Sequence, residues 1–172
     1  MSVKARLRVT LYLLVFCLMI CEIFISSAAR TVYVKTELLL LVTVFSGLYL
    51  GPRYGAEMGF FSGLLKDLIS IGPFGIAALS FFIVGLLCGY LKNRLTRETF
   101  FTQVLVSFVS SVFFSFMVLG CLKTFSGVLP DRIILKNILF QALLTGALSL
   151  PFFFVFGAVF RRAGSQVFEA NP

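Results

Sequence analysis

Five glycines recur at a step of four, Gly47, Gly51, Gly55, Gly59 and Gly63, and Asp67 follows at the same step. The last three and Asp67 fall in one apolar stretch, residues 55–71, and in an α-helix a step of four returns to the same face. Glycine on such a face lets a second backbone approach closely. Helices associate in this way in lipid, where burial of apolar surface gives no drive toward one another. Composition points in the same direction. The chain is 59% apolar and 13% charged, with a mean hydropathy of +1.04, whereas a soluble domain is nearer half apolar and a quarter charged. Only helices and closed barrels span lipid, so these features imply an all-α integral membrane protein of one domain.

Six apolar segments follow along the chain: 9–29, 37–50, 55–71, 74–91, 100–121 and 138–160. They predict a six-transmembrane-helix bundle over residues 1–162 and a short cytoplasmic tail over 163–172. The second and third segments are short, about 20 to 26 Å at 1.5 Å per residue. Only Gly51-Pro52-Arg53-Tyr54 separates them, which reads as a tight turn because proline interrupts a helix. A re-entrant hairpin over 37–71 is the alternative for this pair. The basic start and the small residues Ser27-Ala28-Ala29 resemble a signal peptide, but the apolar run between them is long enough to span a bilayer and is read as an uncleaved first helix. With an even number of spans the fifteen lysines and arginines divide nine to six in favour of the side carrying the termini. That excess places both termini in the cytoplasm. The outer side then carries a loop over 30–36, a turn at Gly72-Pro73 and a longer loop over 123–137.

Close-packing faces recur in later segments: Gly85 and Gly89 in the fourth, Ser107, Ser111 and Ser115 in the fifth, Ala142 and Gly146 in the sixth. Pro151 should kink the last helix, with Ser149 available to satisfy a freed carbonyl. Within the spans stand the acidic residues Glu22, Glu57 and Asp67 and the base Lys66. A charge at membrane depth costs about 3 kcal/mol or more unless it is paired or reaches the interface. Glu22 is a candidate buried charge facing protein, with no partner in its own segment. Glu57 sits near a helix start, one turn from Arg53, and is expected to pair with it. Lys66 is expected to extend outward to the interface. Asp67 stands one turn before Gly72-Pro73, where it either accepts the amides of the 72–75 turn or serves a site. The candidate helix-packing and partner residues are therefore Gly55, Gly59, Gly63, Asp67, Gly85 and Gly89.

Several function classes are excluded. The chain has no histidine and no nucleophile–base pair at a plausible depth, so no catalytic residue, cofactor or metal is expected. Its bases are scattered at segment ends and never form a run of five, which argues against nucleic acid. Cys17, Cys21, Cys88 and Cys121 lie in or beside apolar segments and read as buried, inert thiols.

The stretch Gly59-Phe60-Phe61-Ser62-Gly63-Leu64-Leu65-Lys66-Asp67-Leu68, then Gly72-Pro73-Phe74-Gly75-Ile76-Ala77-Ala78-Leu79 and the ending Gly89-Tyr90, resembles the rod shape-determining protein MreD family. The resemblance implies a non-enzymatic inner-membrane scaffold of the cell-elongation machinery. Its partners would be the single-span protein MreC and, through it, the MreB filament and the RodA–penicillin-binding-protein synthase of peptidoglycan. Substrate-binding subunits of energy-coupling-factor vitamin transporters share the six-helix plan and are the alternative. Two features of the chain favour the scaffold. It has no tryptophan, and its outer loops hold only Asn137 as an amide. Neither a small-molecule substrate nor a cofactor is then expected. The predicted topology is checked by a cysteine placed at Ser165, which should resist an impermeant thiol reagent in intact cells; labelling from outside would overturn it.

Overall fold

A computed structural model describes residues 3–28, 37–70, 74–92, 100–126 and 132–164. Among these there are six α-helices and no strand: α1 (Val3–Ala28), α2 (Leu38–Leu50), α3 (Pro52–Ile69), α4 (Ile76–Leu91), α5 (Phe100–Ser126) and α6 (Arg132–Gly164). The centre is α2. It touches each of the other five helices, and every residue from Leu38 to Leu48 is buried. Its sequence explains this placement, because a helix that is apolar all round must be surrounded. Around it stand α1, α3, α4, α5 and α6 in that order, each touching the next, with no contact between α1 and α6 among the described residues.

The perimeter is apolar as well. Leu13, Phe24, Phe60, Leu68, Leu79, Phe116, Leu143 and Phe154 are all exposed. One segment, Thr102–Cys121, is long and apolar enough to cross a membrane, while Val9–Phe24, Leu38–Leu50, Ile76–Leu91 and Ile138–Phe154 are apolar but shorter. The short length of α2, about 20 Å at 1.5 Å per residue, follows from its position, since a fully enclosed helix has no lipid thickness to match. Of the clustered phenylalanines, Phe114, Phe152 and Phe153 are buried and Phe116 and Phe154 are exposed. Phe114 stands edge-on to Phe81, and Phe153 to Phe45.

Several boundaries differ from the sequence expectation. The turn between α2 and α3 is Gly51 alone, and α3 starts at Pro52 rather than Gly55. Gly51 has φ 103° and ψ −178°, a conformation almost confined to glycine. Pro52 then opens α3, where its missing N–H is no loss and its fixed φ suits the helix. The outer loop expected over 123–137 is largely helix, because α5 runs to Ser126 and α6 begins at Arg132. The helix α6 continues past Pro151. Ser149 donates to the carbonyl of Gly146 at 2.6 Å, not to that of Ala147, whose N–H partner the proline removes. The expected loop over 30–36, the turn at Gly72-Pro73 and the tail beyond Gly164 lie outside the described residues.

The closest pairing is α3 with α4, and glycine makes it. A methyl group added at Gly55 would strike the carbonyl of Gly85, one at Gly59 the carbonyl of Phe81, and one at Gly63 the backbone of Ala77 and Ala78. From the other helix, a methyl at Gly85 would strike the carbonyl of Gly55, and one at Gly89 the backbone of Pro52. On α2, a methyl at Gly47 would stand 2.8 Å from both the Cβ of Cys88 and the carbonyl oxygen of Gly85. The helices α2, α3 and α4 thus form a three-helix core at backbone contact, reinforced by a 2.8 Å hydrogen bond between the hydroxyls of Thr43 and Ser62. Gly120, by contrast, faces open space. Gly59→Ala should therefore lower thermal stability in detergent, at the scale of core overpacking, about 1–3 kcal/mol. Gly120→Ala should not, and equal effects at the two positions would refute the interlock.

Candidate functional site

The start of α2 is buried and that of α4 half-buried, and each is met by a carboxylate from the preceding helix. The first amides of a helix have no partner within it, and inside a bilayer no water replaces one. Gly75 is the N-cap of α4, held at φ 100°, and glycine offers no side chain to cap with. Asp67 of α3 supplies the cap instead. Its Oδ2 accepts the amides of Gly75 at 3.0 Å and Ala78 at 2.9 Å, and its Oδ1 accepts that of Ala77 at 3.0 Å. At the start of α2 the N-cap residue, Glu37, makes no capping bond. Glu22 of α1 accepts the amide of Leu39 at 3.2 Å through Oε2. Its other oxygen pairs with the ammonium of Lys66 on α3. Negative charge at these two helix starts also complements their dipoles.

The carboxyl group of Glu37 turns the other way. It is 1% exposed and receives the hydroxyl of Ser111 on α5 at 3.1 Å and the amide of Gln141 on α6 at 2.7 Å. Lys66 and Glu22 are close enough to act on it electrostatically. The group formed by Glu22, Glu37, Lys66, Asp67, Ser111, Gln141 and the first amides of α2 and α4 therefore draws on all six helices. A second tie joins α1 to α3, where Tyr12 donates to Glu57 at 2.6 Å. Tyr12 and Glu22 are ten residues apart, and their partners Glu57 and Lys66 nine apart. The two helices run parallel with matched rise.

The structure reassigns several residues. Lys66 does not reach outward to the interface. It turns inward to Glu22, because the unpaired carboxylate there would otherwise stand buried. Glu22 faces protein and finds its partners on α2 and α3. Glu57 accepts a hydroxyl from α1, a partner not visible from its own segment, and Arg53 is exposed. Asp67 accepts the amides of Gly75, Ala77 and Ala78, and residues 72–73 of the expected turn lie outside the described residues. Gly55, Gly59, Gly63, Gly85 and Gly89 all lie at the α3–α4 contact. Sequence reading missed Glu37. It stands at the edge of an apolar segment, where a charge reads as interfacial. The available signal was the pairing of an acid with polar residues at interior positions of two later segments, Ser111 and Gln141.

The group offers no chemistry beyond holding and capping. It has no nucleophile beside a base, and no set of three histidine, cysteine or acidic side chains could hold a metal among the described residues. The family model described as rod shape-determining protein MreD matches residues 4–162. No curated protein and no solved structure matches the chain.

Two outcomes follow for this group. Removing one member of a buried ion pair costs about 3–5 kcal/mol because the other charge is left unpaired, whereas replacing both is far milder. Lys66→Met should therefore destabilise strongly, and the double variant Lys66→Met with Glu22→Gln should recover part of that loss in a thermal denaturation cycle. Additive losses would contradict the pairing. Because both oxygens of Asp67 accept amides, Asp67→Asn should also destabilise, by about 1–2 kcal/mol as for a lost helix cap, and Asp67→Leu by more. Full tolerance of asparagine would show that one oxygen suffices.

Proposed function

The chain belongs to the rod shape-determining protein MreD family, and we propose that it is a non-enzymatic, multi-pass scaffold of the cell-elongation machinery in the bacterial inner membrane. The observation that carries this reading is the family match over residues 4–162, nearly the whole chain. In this reading residues 1–162 form one membrane domain of six spans with both termini cytoplasmic, and 163–172 form the tail. Its direct partner is an MreC-like single-span protein, and through it the MreB filament and the RodA–penicillin-binding-protein synthase.

The physical character of the molecule supports this role. Its polar side chains join helices to one another, its perimeter is apolar, and its core is held at backbone contact. A stiff α2–α3–α4 core with a lipid-facing surface around it suits a component that positions others and performs no reaction. The glycine face from Gly55 to Gly63, with Gly85 and Gly89, contributes by fixing the α3–α4 hairpin rather than by binding a partner directly.

Depletion in a rod-shaped host should give rounded cells, and a single-span partner should co-purify from solubilised membranes. The alternative, a vitamin-binding transporter subunit, is tested on the same purified protein. A ligand present at 100 times its dissociation constant stabilises the folded state by about 2.7 kcal/mol, which a thermal-shift screen against water-soluble vitamins would register. A clear shift with one vitamin, together with unchanged cell shape on depletion, would overturn the scaffold reading.

A further inference from the structure

We propose that the α5–α6 hairpin is a moving unit that rocks on the α2–α3–α4 core, and that Glu37 is the pin holding it in the seat seen here. Three observations lead to this. First, close packing is unevenly distributed. The helices α2, α3 and α4 meet at backbone contact through glycine, α5 and α6 pack closely on each other, and each single helix pair across the two units approaches less closely than these. Gly146, the glycine of α6 that faces α5, meets its neighbours only at ordinary distances of 3.7 Å or more. Among the described residues no glycine of α5 or α6 meets the core at backbone contact.

Second, polar side chains tie the seat at each end of α2, beside the ring contacts of Phe114 with Phe81 and of Phe153 with Phe45. Glu37 binds one residue on each helix of the hairpin, Ser111 and Gln141. At the other end of α2, Gln103 donates to the hydroxyl of Tyr49 at 3.0 Å. Because lipid supplies no hydrophobic drive between helices, polar bonds of this kind carry a larger share of the attachment than they would in water. Among the described residues the ring around α2 is also open between α1 and α6, so no described helix blocks the far side of the hairpin.

Third, the seam contains a polar group that this seat does not satisfy. The hydroxyl of Ser107 on α5 is fully buried and without a hydrogen-bond partner. The buried hydroxyls of Ser80 and Thr145 each donate to a carbonyl of their own helix one turn back; Ser107 does not. An unsatisfied buried hydroxyl is a cost that a displaced seat can relieve. Its small neighbours on the same face, Ser111 and Ser115, offer little steric resistance to such a displacement. Two seats separated by a small free-energy difference form the kind of element that a bound partner can bias.

The proposal rests on the bilayer embedding proposed above, and its test separates the two. Spin labels would be placed at the exposed positions Leu79 on α4 and Leu143 on α6, with the four native cysteines replaced by serine or alanine. The control pair is Leu68 on α3 and Leu87 on α4, within the interlocked core. Distances are measured by pulsed electron resonance in phosphatidylcholine vesicles, and label depth by collision with lipid-soluble oxygen and a water-soluble nickel chelate. The expected result is a narrow distribution for the core pair and a broad or two-peaked one for the α4–α6 pair. Glu37→Leu should shift the latter toward the second seat and leave the core pair unchanged. Should Glu37→Leu fail to accumulate, Gln141→Leu and Ser111→Ala each remove one arm of the pin and should shift it in the same direction. An α4–α6 distribution as narrow as the control, and unmoved by these substitutions, would overturn the moving hairpin. Labels accessible to the nickel chelate but not to oxygen would instead overturn the embedding.

Discussion

The architecture depends on how helices that start inside the protein satisfy their first amides. A helix that begins in water leaves those donors to solvent. Here α2 begins at a buried residue and the start of α4 is half-buried, and each unmet donor would cost several kcal/mol in lipid, roughly that of a desolvated amide. The carboxylates of Glu22 and Asp67 meet these donors from the helices before them. Each cap therefore does two things at once: it satisfies the first amides of a short helix, and it fastens two neighbouring helices together. Because Glu22 also takes Lys66, and Glu37 reaches α5 and α6, the same requirement draws the whole bundle to one end.

Two kinds of attachment divide the work. Between α2, α3 and α4 the absence of side chains at glycine brings backbones together, so dispersion contacts accumulate along the full length of the contact. Between these helices and α1, α5 and α6 the approach is looser, and individual polar bonds hold the register. The first kind resists displacement everywhere at once. The second fails or holds at single residues, which is why Lys66, Glu37 and Tyr12 matter more than their number suggests.

The same arrangement bears on function. Nearly every interior polar side chain described above is engaged with another helix or with its own backbone, leaving no constellation arranged around a reacting atom. An apolar perimeter with a stiff centre is what a shape-determining family member needs if its role is to hold other membrane proteins in a fixed relation.

Much of the fold was legible in the sequence. Composition and segment lengths set an all-helical chain of six elements, and the step-of-four glycines located its tightest contact in the right helix. Asp67 could be placed near the start of the next helix because the Gly72-Pro73 break follows it by about one turn. What the sequence could not convey was partnership across distance. Lys66 and Glu22 are 44 residues apart, and Glu37 and Gln141 are 104 apart; no local pattern links them. An acid at a segment edge looks interfacial until it is known that α2 is enclosed by five other helices. By itself the sequence determined which segments are helical and which face of α3 is bare, since both follow from local sterics and apolar patterning. The tertiary structure alone decided which charges pair, which helices are capped by another helix, and that α2 is the centre, because each depends on which side chains the packing brings within about 3 Å of one another.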